Sequence, residues 1–263
     1  MAEIIDPRIL TDQEIELLEK QDKRLVPEFR QKKLEEEVCK SWDLFYKRNE
    51  TKFYKDRHWT AREFEELLPE SLENKHLLEV GCGVGNFIYP LVQGTSTTYF
   101  HACDFSSRAV EFVKKNELYD SIRINVFHCD LTRDSLSTSI PCASVDIVSL
   151  IFVLSAIHPN KMMTIVENLK SVLKSGGKVL FRDYGNKDHA MLRFAPGQKL
   201  SDRLYVRQDN TRAYYFILEE LQKIFESSGF QTDRLSYIYR ETVNKKENMW
   251  AQRIFLQGVF IKT

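Results

Sequence analysis

The stretch Leu77-Leu78-Glu79-Val80-Gly81-Cys82-Gly83-Val84-Gly85 decides the fold of this chain. The apolar run HLLEV at 76–80 predicts a buried strand that leads into a glycine-rich turn, and the sequence NFIYPLV that follows predicts a helix. Glycines let backbone approach a ligand closely, and the start of a helix offers free N–H donors. The order strand, turn, helix therefore predicts a ligand site. The turn lacks the G-x-G-x-x-G spacing of dinucleotide-binding folds, although a bare G-x-G also fits them.

Apolar strands alternating with helical patterns continue downstream, at 98–104, 123–130, 145–154 and 178–184. Strands separated by helices indicate βαβ units and a mainly parallel sheet. The segment 185–215 interrupts this order and contains a predicted hairpin around Asp209 and Asn210. After a helix at 217–228, two strands near 230–240 and 252–261 are joined without a helix, so they can pair only antiparallel. We therefore predict an α/β fold with a seven-stranded, mostly parallel sheet.

Residues 1–70 differ from the rest of the chain because they are highly charged and show helical periodicity. The capping-box pattern T-x-x-E occurs at 11–14 and again at 60–63, where it predicts the start of a short helix. We therefore divide the chain into an N-terminal helical extension, 1–70, and a domain at 71–263 that carries the insert.

Composition excludes several classes of protein. Hydrophobic residues make up 43% and charged residues 29% of the 263 residues, which excludes disorder over most of the chain. Lys+Arg and Asp+Glu both total 38, which excludes a histone-like polycation. Five cysteines without a C-x-x-C pair favour reduced thiols in an intracellular compartment and no metal site. The acidic N-terminus argues against a mitochondrial transit peptide, and no apolar run is long enough to cross a membrane. We expect a cytoplasmic location, with the nucleus as a second compartment.

Two acidic residues follow the predicted strands at the ligand-binding edge. Asp104 ends the second strand, where a carboxylate can bind two ribose hydroxyls. Asp130 ends the third strand, where it can reach an adenine amino group. Together with the glycine turn and the antiparallel last strands, these features resemble the class I S-adenosylmethionine-dependent methyltransferase fold, with its Rossmann-like sheet. The resemblance implies S-adenosyl-L-methionine as cofactor. IFVLSA at 151–156 lacks the D/N-P-P-Y/F tetrad of exocyclic-amine methyltransferases, which disfavours DNA adenine and protein glutamine methylation.

Eight blocks resemble one narrower family. They are SWDLFYKRN (41–49), FYKDRHW (53–59), LEVGCGVGN (78–86), ACDFS (102–106), LIFVLSAIHP (150–159), FRDYGNKDHAMLRF (181–194), YVRQDNTRAYYF (205–216) and RETVNKK (240–246). They are similar to the eukaryotic methyltransferase-like enzymes that make 3-methylcytidine in tRNA anticodon loops. The resemblance implies methyl transfer to N3 of cytidine 32. The short N-terminus resembles the cytosolic branch that acts on serine tRNAs with seryl-tRNA synthetase. Branches acting on threonine or arginine tRNAs, or in mitochondria, remain alternatives.

The resemblance also implies a set of cofactor contacts: Trp42, Tyr46, Gly81, Gly83, Asp104, Asp130 and Ile151. Trp42 and Tyr46 would close over the methionine end, and Ile151 would meet the adenine edge. The alternative for Trp42 and Tyr46 is a stripe that packs the N-terminal helices on the sheet, and the two roles are compatible.

The reaction at cytosine N3 needs no general base, because its lone pair lies in the ring plane. The enzyme must align N3 with the methyl group and stabilise the positive charge that develops on the ring. We predict that Asp183, at the carboxyl end of the fifth strand, supplies a carboxylate and that Tyr184 stacks on the base. The alternative is that Asp183 pairs with Arg182 or caps the next segment.

The segments 40–64 and 182–215 each hold seven Lys or Arg against four Asp or Glu, with aromatic residues between them. This pattern is typical of RNA surfaces that stack bases, although a charge run is more often a solvated face. The predicted RNA contacts are Arg57, His58, Arg193, Arg207, Arg212, Lys245 and Lys246. A methyltransferase of a protein or small molecule and a non-catalytic binding subunit are the competing readings. The basic insert argues against the first, and the intact cofactor motif against the second.

Overall fold

A computed structural model of the chain describes residues 8–244 and 249–263, without the side chains of 242–244 and 249–250. The helices are α1 (Asp12–Asp22), α2 (Glu28–Glu36), α3 (Val38–Asn49), α4 (Thr60–Glu63), α5 (Pro69–Leu72), α6 (Ile88–Gly94), α7 (Ser107–Lys114), α8 (Met162–Val172), α9 (His189–Leu192) and α10 (Leu218–Ser227). The strands are β1 (His76–Val80), β2 (Tyr99–Asp104), β3 (Ile124–His128), β4 (Val145–Ile151), β5 (Leu173–Tyr184), β6 (Lys199–Ser201), β7 (Leu204–Val206), β8 (Arg212–Tyr214), β9 (Phe230–Asn244) and β10 (Met249–Lys262). Within these residues, no helix is long and apolar enough to span a membrane.

Seven strands form the central sheet in the order β3-β2-β1-β4-β5-β10-β9. The pairs among β1 to β5 are parallel, whereas β10 runs antiparallel to both β5 and β9. The predicted α/β class with an antiparallel last pair is confirmed. Because the parallel strands share one direction, their carboxyl ends meet at one edge, and the sequence between β1 and α6 lies there.

The sheet separates two cores, because alternate residues of a strand point to opposite faces. Leu78 and Val80 of β1 lie in a core with the apolar residues of α8 and α10. Leu77 lies in the other core, with α6 and the loop residues Phe64 and Leu67. The near-continuous apolar sequence of β1 follows from this burial on both faces.

The N-terminal extension packs on the insert. The buried Gln21 side chain donates from Nε2 to the carbonyls of Met191, Leu192 and Phe194, at 3.2, 3.3 and 2.9 Å. The backbone N–H of Val26 donates to the Lys199 carbonyl at 2.8 Å. Strands β6, β7 and β8 form a separate three-stranded antiparallel sheet in this insert, which confirms the predicted hairpin.

Several predicted boundaries differ from the structure. The capping box at 11–14 is confirmed, but the one at 60–63 is wrong. Thr60 is the first helical residue, and its hydroxyl donates to the Arg57 carbonyl at 2.8 Å instead of capping. The helix also ends at Glu63, so Phe64 is already extended.

The last two strands are longer than predicted. Strand β10 pairs with β5 only over Phe255–Ile261, whereas it pairs with β9 along the whole ribbon. The two strands therefore satisfy each other's backbone groups beyond the end of β5. The sequence between β9 and β10 contains Lys245 and Lys246, which lie outside the described residues.

Candidate active site

A cleft enclosing about 850 Å³ lies at the carboxyl ends of β1, β2 and β4. Its lining includes residues of the glycine turn, of the strand ends and of α3, among them Trp42, Tyr46, Gly81, Asp104, Asp130, Thr132, Phe152 and Val153. The structure therefore brings five of the seven predicted cofactor contacts together in one cleft. It forms where the strand order reverses between β1 and β4, which is where open α/β sheets bind ligands.

The glycine turn passes so close to its neighbours that side chains do not fit. Gly81 and Gly83 both have positive φ, +60° and +54°. A Cβ added to Gly81 would lie 2.7 Å from Cγ2 of Val153, and one added to Gly83 would lie 3.0 Å from the Tyr46 hydroxyl. The turn therefore needs glycine for conformation and for space.

Asp104 anchors this turn from the end of β2. Its Oδ2 accepts from the N–H of Gly83 at 3.0 Å, and its Oδ1 accepts from the N–H of Ser106 at 2.9 Å. Burial raises the pKa of Asp104 to about 6, although both N–H donors favour the charged form. Each carboxylate oxygen keeps a second lone pair that can accept from a hydroxyl in the cleft.

Asp130 lies two residues beyond the end of β3 rather than within the strand. Its Oδ1 accepts from the backbone N–H of Thr132 at 3.0 Å and from its hydroxyl at 2.7 Å. This local turn holds the carboxylate in the cleft wall. The Ile151 side chain does not line the cleft but packs in the core, and the next two residues, Phe152 and Val153, form the wall. The predicted contact of Ile151 with the adenine edge stays a prediction.

Trp42 and Tyr46 form one aromatic wall from α3, with ring centroids 6.1 Å apart. Tyr46 is also buried against Phe45 and Val84, so the packing role occurs, and the contact with the methionine end stays a prediction. The Trp42 Nε1 is buried and has no hydrogen-bond partner among the described residues. Such an unpaired buried donor is expected where a ligand supplies the acceptor.

A second cleft, enclosing about 1110 Å³, adjoins the first and shares Trp42, Tyr46, Gly81, Phe152 and Ala156 with it. Three aromatic rings lie together in its lining. Phe152 lies 5.2 Å from Tyr184 and 5.5 Å from Phe255, between ring centroids. This arrangement offers flat apolar surface beside the part of the first cleft that Trp42 and Tyr46 line.

Phe152 carries a backbone conformation that is unusual for a bulky residue. Its φ is +58°, and its N–H donates to the Arg182 carbonyl at 2.7 Å. Bulky residues adopt positive φ only where the surroundings enforce it, and such strain concentrates at functional sites. No local sequence signal marks this residue, because its position depends on the turn after β4.

Arginines surround the aromatic rings. Arg57 donates from Nη1 to the Ile151 carbonyl at 3.0 Å and lies 5.5 Å from the Phe152 ring. Arg207 and Arg253 lie 5.6 and 5.9 Å from the Tyr184 ring. Arg253, which sequence reasoning missed, is held by the buried Asp188 at 2.9 Å. These guanidinium groups place positive charge around the second cleft.

The structure corrects the role predicted for Asp183. Its side chain is fully buried and does not line either cleft. Its Oδ2 accepts from the Ser155 N–H at 2.8 Å and its Oδ1 from the Tyr184 N–H at 2.9 Å. Asp183 therefore holds two walls of the second cleft in place rather than presenting a carboxylate to it. Tyr184 does line that cleft, and its stacking on the base stays a prediction.

Glu79 is the one acidic residue in the described lining of the second cleft. It is 4% exposed, and its Oε2 has no hydrogen-bond partner in the described part of the chain. Burial raises the pKa of Glu79 to about 8, against the opposing effect of Arg57. A cation bound beside Glu79 would favour its charged form.

The predicted RNA contacts other than Arg212 fall into three groups. His58 and Arg193 are exposed, and Arg193 lines a third cleft that shares Tyr184 and Arg207 with the second. Arg57 and Arg207 are partly exposed and lie in the wall of the second cleft. Lys245 and Lys246 are not described.

Arg212 is misassigned as an RNA contact. It is 4% exposed and lines the outer end of the cofactor cleft. Its Nη1 forms an ion pair with Glu35 of α2, which also contacts Lys161. Arg212 therefore joins the insert to the N-terminal extension, because its position in β8 points the side chain inward.

The residues present fit S-adenosylmethionine. Two carboxylates, Asp104 and Asp130, face the first cleft for the hydroxyl and amino groups of adenosine, and the glycine turn leaves room for close contact. The unpaired Glu79 Oε2 suits the cationic methionine end. No group of three His, Cys, Asp or Glu that could hold a metal ion occurs within 8–244 and 249–263. The sheet order and this cleft define a class I S-adenosylmethionine-dependent methyltransferase.

Comparisons with known proteins agree with this class and narrow it. A family model described as a methyltransferase domain matches residues 50–235. An S-adenosylmethionine-dependent methyltransferase from Anabaena variabilis has the same fold, with a TM-score of 0.62 at 16% identity over 86% of this chain and 95% of that one. A second, from Methanosarcina mazei, has a TM-score of 0.54 at 15% identity over 72% of this chain and 93% of that one.

Several proteins share a higher sequence identity with this chain than these solved structures do. The human tRNA N(3)-cytidine methyltransferase METTL6 is 53% identical over 98% of this chain and 92% of its own length. The Schizosaccharomyces pombe tRNA N(3)-methylcytidine methyltransferase trm141 is 43% identical over 88% of this chain and 94% of its own. The Xenopus tropicalis tRNA N(3)-cytidine methyltransferase METTL2 is 36% identical over 90% of this chain and 81% of its own length. The chain belongs to the family of tRNA N(3)-cytidine methyltransferases.

Proposed function

We propose that this protein transfers the methyl group of S-adenosylmethionine to N3 of cytidine 32 in the anticodon loop of serine tRNAs. The observation that supports this most directly is the second cleft, which shares part of its lining with the first cleft and contains a cluster of three aromatic rings with arginines around it. An unpaired pyrimidine can lie flat in such a cleft, with its edge towards the methionine end. Substrate RNAs of relatives such as METTL6 support the choice of tRNA.

When bound, S-adenosylmethionine supplies an electrophilic methyl group, and the chain's own residues determine what that group meets. Phe152 and Tyr184 provide faces against which the cytosine ring stacks. Asp183 fixes both faces through Ser155 and Tyr184, so N3 is held in line without a proton-transfer group. Positioning of this kind can supply most of the rate enhancement when the nucleophile is already neutral and competent.

The charges around the cleft suit an RNA substrate. Arg57, Arg207 and Arg253 lie near the rings, and the exposed Arg193 extends the basic surface outward. Phosphates beside the flipped base would meet these guanidinium groups. Arg253 is already paired with Asp188, but a small apolar substrate would leave Arg57 and Arg207 without a charged partner among the described residues. This difference favours a tRNA substrate over a small molecule.

Seryl-tRNA synthetase is the proposed partner, and the cytoplasm, with the nucleus as a second compartment, is the proposed location. The chain's net charge of zero supports the need for a partner that already holds the tRNA, because overall electrostatic attraction is absent. Imaging of the tagged chain tests the location. A nuclear-excluded mitochondrial signal would overturn it.

The test of substrate and partner is a panel of purified serine, threonine and arginine tRNAs, each with and without its cognate synthetase. Mass spectrometry of digested nucleosides is the readout. We expect 3-methylcytidine in serine tRNA, in larger amount with seryl-tRNA synthetase. Product confined to threonine or arginine tRNA would refute the serine assignment while keeping the reaction.

A further inference from the structure

Phe53 and Tyr54 form an exposed aromatic ledge at the mouth of the second cleft. Phe53 is 58% exposed and Tyr54 39% exposed. Their ring centroids are 4.7 Å apart, and the rings meet edge to face. Tyr54 also belongs to the lining of the second cleft, so the ledge begins at its rim.

Packing and a hydrogen bond hold the two rings of the ledge in place. Phe45, 5% exposed, packs edge-on against Phe53 at 4.9 Å and lies 5.9 Å from Tyr54. The Tyr54 carbonyl accepts from Nδ2 of Asn86 at 3.3 Å. Burial raises the pKa of Tyr54 to about 12, against the opposing effect of Arg207. Two exposed aromatic rings held in this way offer a stacking surface for a planar group.

The charges beside the ledge indicate what that partner is. Lys47, Arg48, Lys52, Lys55 and Arg57 outnumber the acidic residues of the same segment, Glu50 and Asp56. Alternating aromatic and basic groups match a single strand, in which bases alternate with phosphates. The core of a protein interface is instead depleted in lysine.

We propose that the Phe53–Tyr54 ledge stacks the nucleotide next to the target cytidine in the anticodon loop. The proposal rests on the proposed function, since the target base occupies the second cleft. Tyr54 lines that cleft and contacts Phe53, so a base flanking the target arrives at the ledge one nucleotide away. Stacking there keeps the target unstacked from its neighbour and holds the loop open.

A double-mutant cycle tests the ledge. The full chain is titrated with a fluorescent anticodon stem-loop RNA containing the target cytidine, intact or with an abasic site on its 5′ or 3′ side. Phe53→Ala is compared with Phe53→Trp, which keeps a ring, and with Phe29→Ala, which removes another exposed phenylalanine (78% exposed) from α2. Calorimetry of S-adenosylmethionine binding shows that each variant is folded.

We expect Phe53→Ala to weaken binding of the intact loop about tenfold, a typical loss for one stacked base. The same loss should come from one of the two abasic sites, and the two changes should not multiply. Phe53→Trp and Phe29→Ala should bind as wild type. Losses that multiply at both positions, or an equal loss in Phe29→Ala, would overturn the ledge. Failure of the proposed function is a separate outcome, in which the wild-type protein makes no 3-methylcytidine in any tRNA.

Discussion

The substitution Asp183→Asn distinguishes a role of Asp183 in positioning the cleft walls from a role in the stability of the fold. The buried carboxylate accepts two backbone N–H groups, from Ser155 and Tyr184. An asparagine keeps one acceptor oxygen and turns an NH₂ towards the other donor, so one bond to a charged acceptor is lost, about 2 kcal/mol. Removing the buried charge acts in the opposite direction. The pKa of Asp183 rises from 3.8 to about 6, so the charged form costs about 3 kcal/mol at pH 7.

These contributions nearly cancel, so we expect the free energy of unfolding at pH 7 to change by no more than about 2 kcal/mol. Turnover should nevertheless fall about a hundredfold, because a wall of the cleft shifts by about 1 Å. Urea unfolding, calorimetry of cofactor binding and single-turnover methylation of tRNA measure the three effects. Asp202→Asn, an exposed acid of the insert, is the matched control. Wild-type turnover in Asp183→Asn would refute the positioning role, and a parallel loss of cofactor binding would assign the residue to the first cleft.

Three further outcomes follow from the structure. The folded-state pKa of Glu79 lies above its unfolded value, so its contribution to stability is complete below pH 4.5 and is lost as the pH rises through about 8. The free energy of unfolding should therefore fall by roughly 2 kcal/mol between pH 6 and pH 8. In urea titrations, Glu79→Gln should abolish this dependence on pH. Arg193→Gln should lower the salt slope of tRNA binding by about one, whereas Arg212→Gln should leave it unchanged and lower the melting temperature; equal salt slopes in both variants would refute the distinction. Gly81→Ala should weaken cofactor binding tenfold or more (about 1.4 kcal/mol). Gly176 also has positive φ but lies in open space. Gly176→Ala should therefore lower the free energy of unfolding by only about 1–2 kcal/mol and leave the cofactor affinity unchanged.

The parts of the fold that local sequence determines were predictable. The strand at 76–80 is found at the predicted residues, because a short apolar run ending in glycines allows few alternatives. The direction of the last strands followed from the absence of a connecting helix. The capping box at 60–63 failed because Thr60 bonds to Arg57 in the preceding turn, and that turn is set by tertiary packing.

The candidate site was predictable where a residue's position along a strand sets its place. Asp104 is the last residue of β2, and the carboxyl ends of the parallel strands meet at one edge of the sheet. Burial was not predictable, because it depends on what covers a residue from elsewhere in the chain. Asp183 is covered by the turn at Ser155, and Arg212 is covered by α2 through Glu35. A single sequence carries no local signal for either contact.

The measurement that tests the central claim most directly is the position of the methyl group. Serine tRNA is incubated with the protein, seryl-tRNA synthetase and S-adenosylmethionine, cut into fragments, and mapped by mass spectrometry, beside a tRNA whose cytidine 32 is replaced by uridine. The account predicts one added methyl group, at N3 of cytidine 32, and none in the uridine control. A methyl group elsewhere in the tRNA, or equal incorporation into the control, would contradict it.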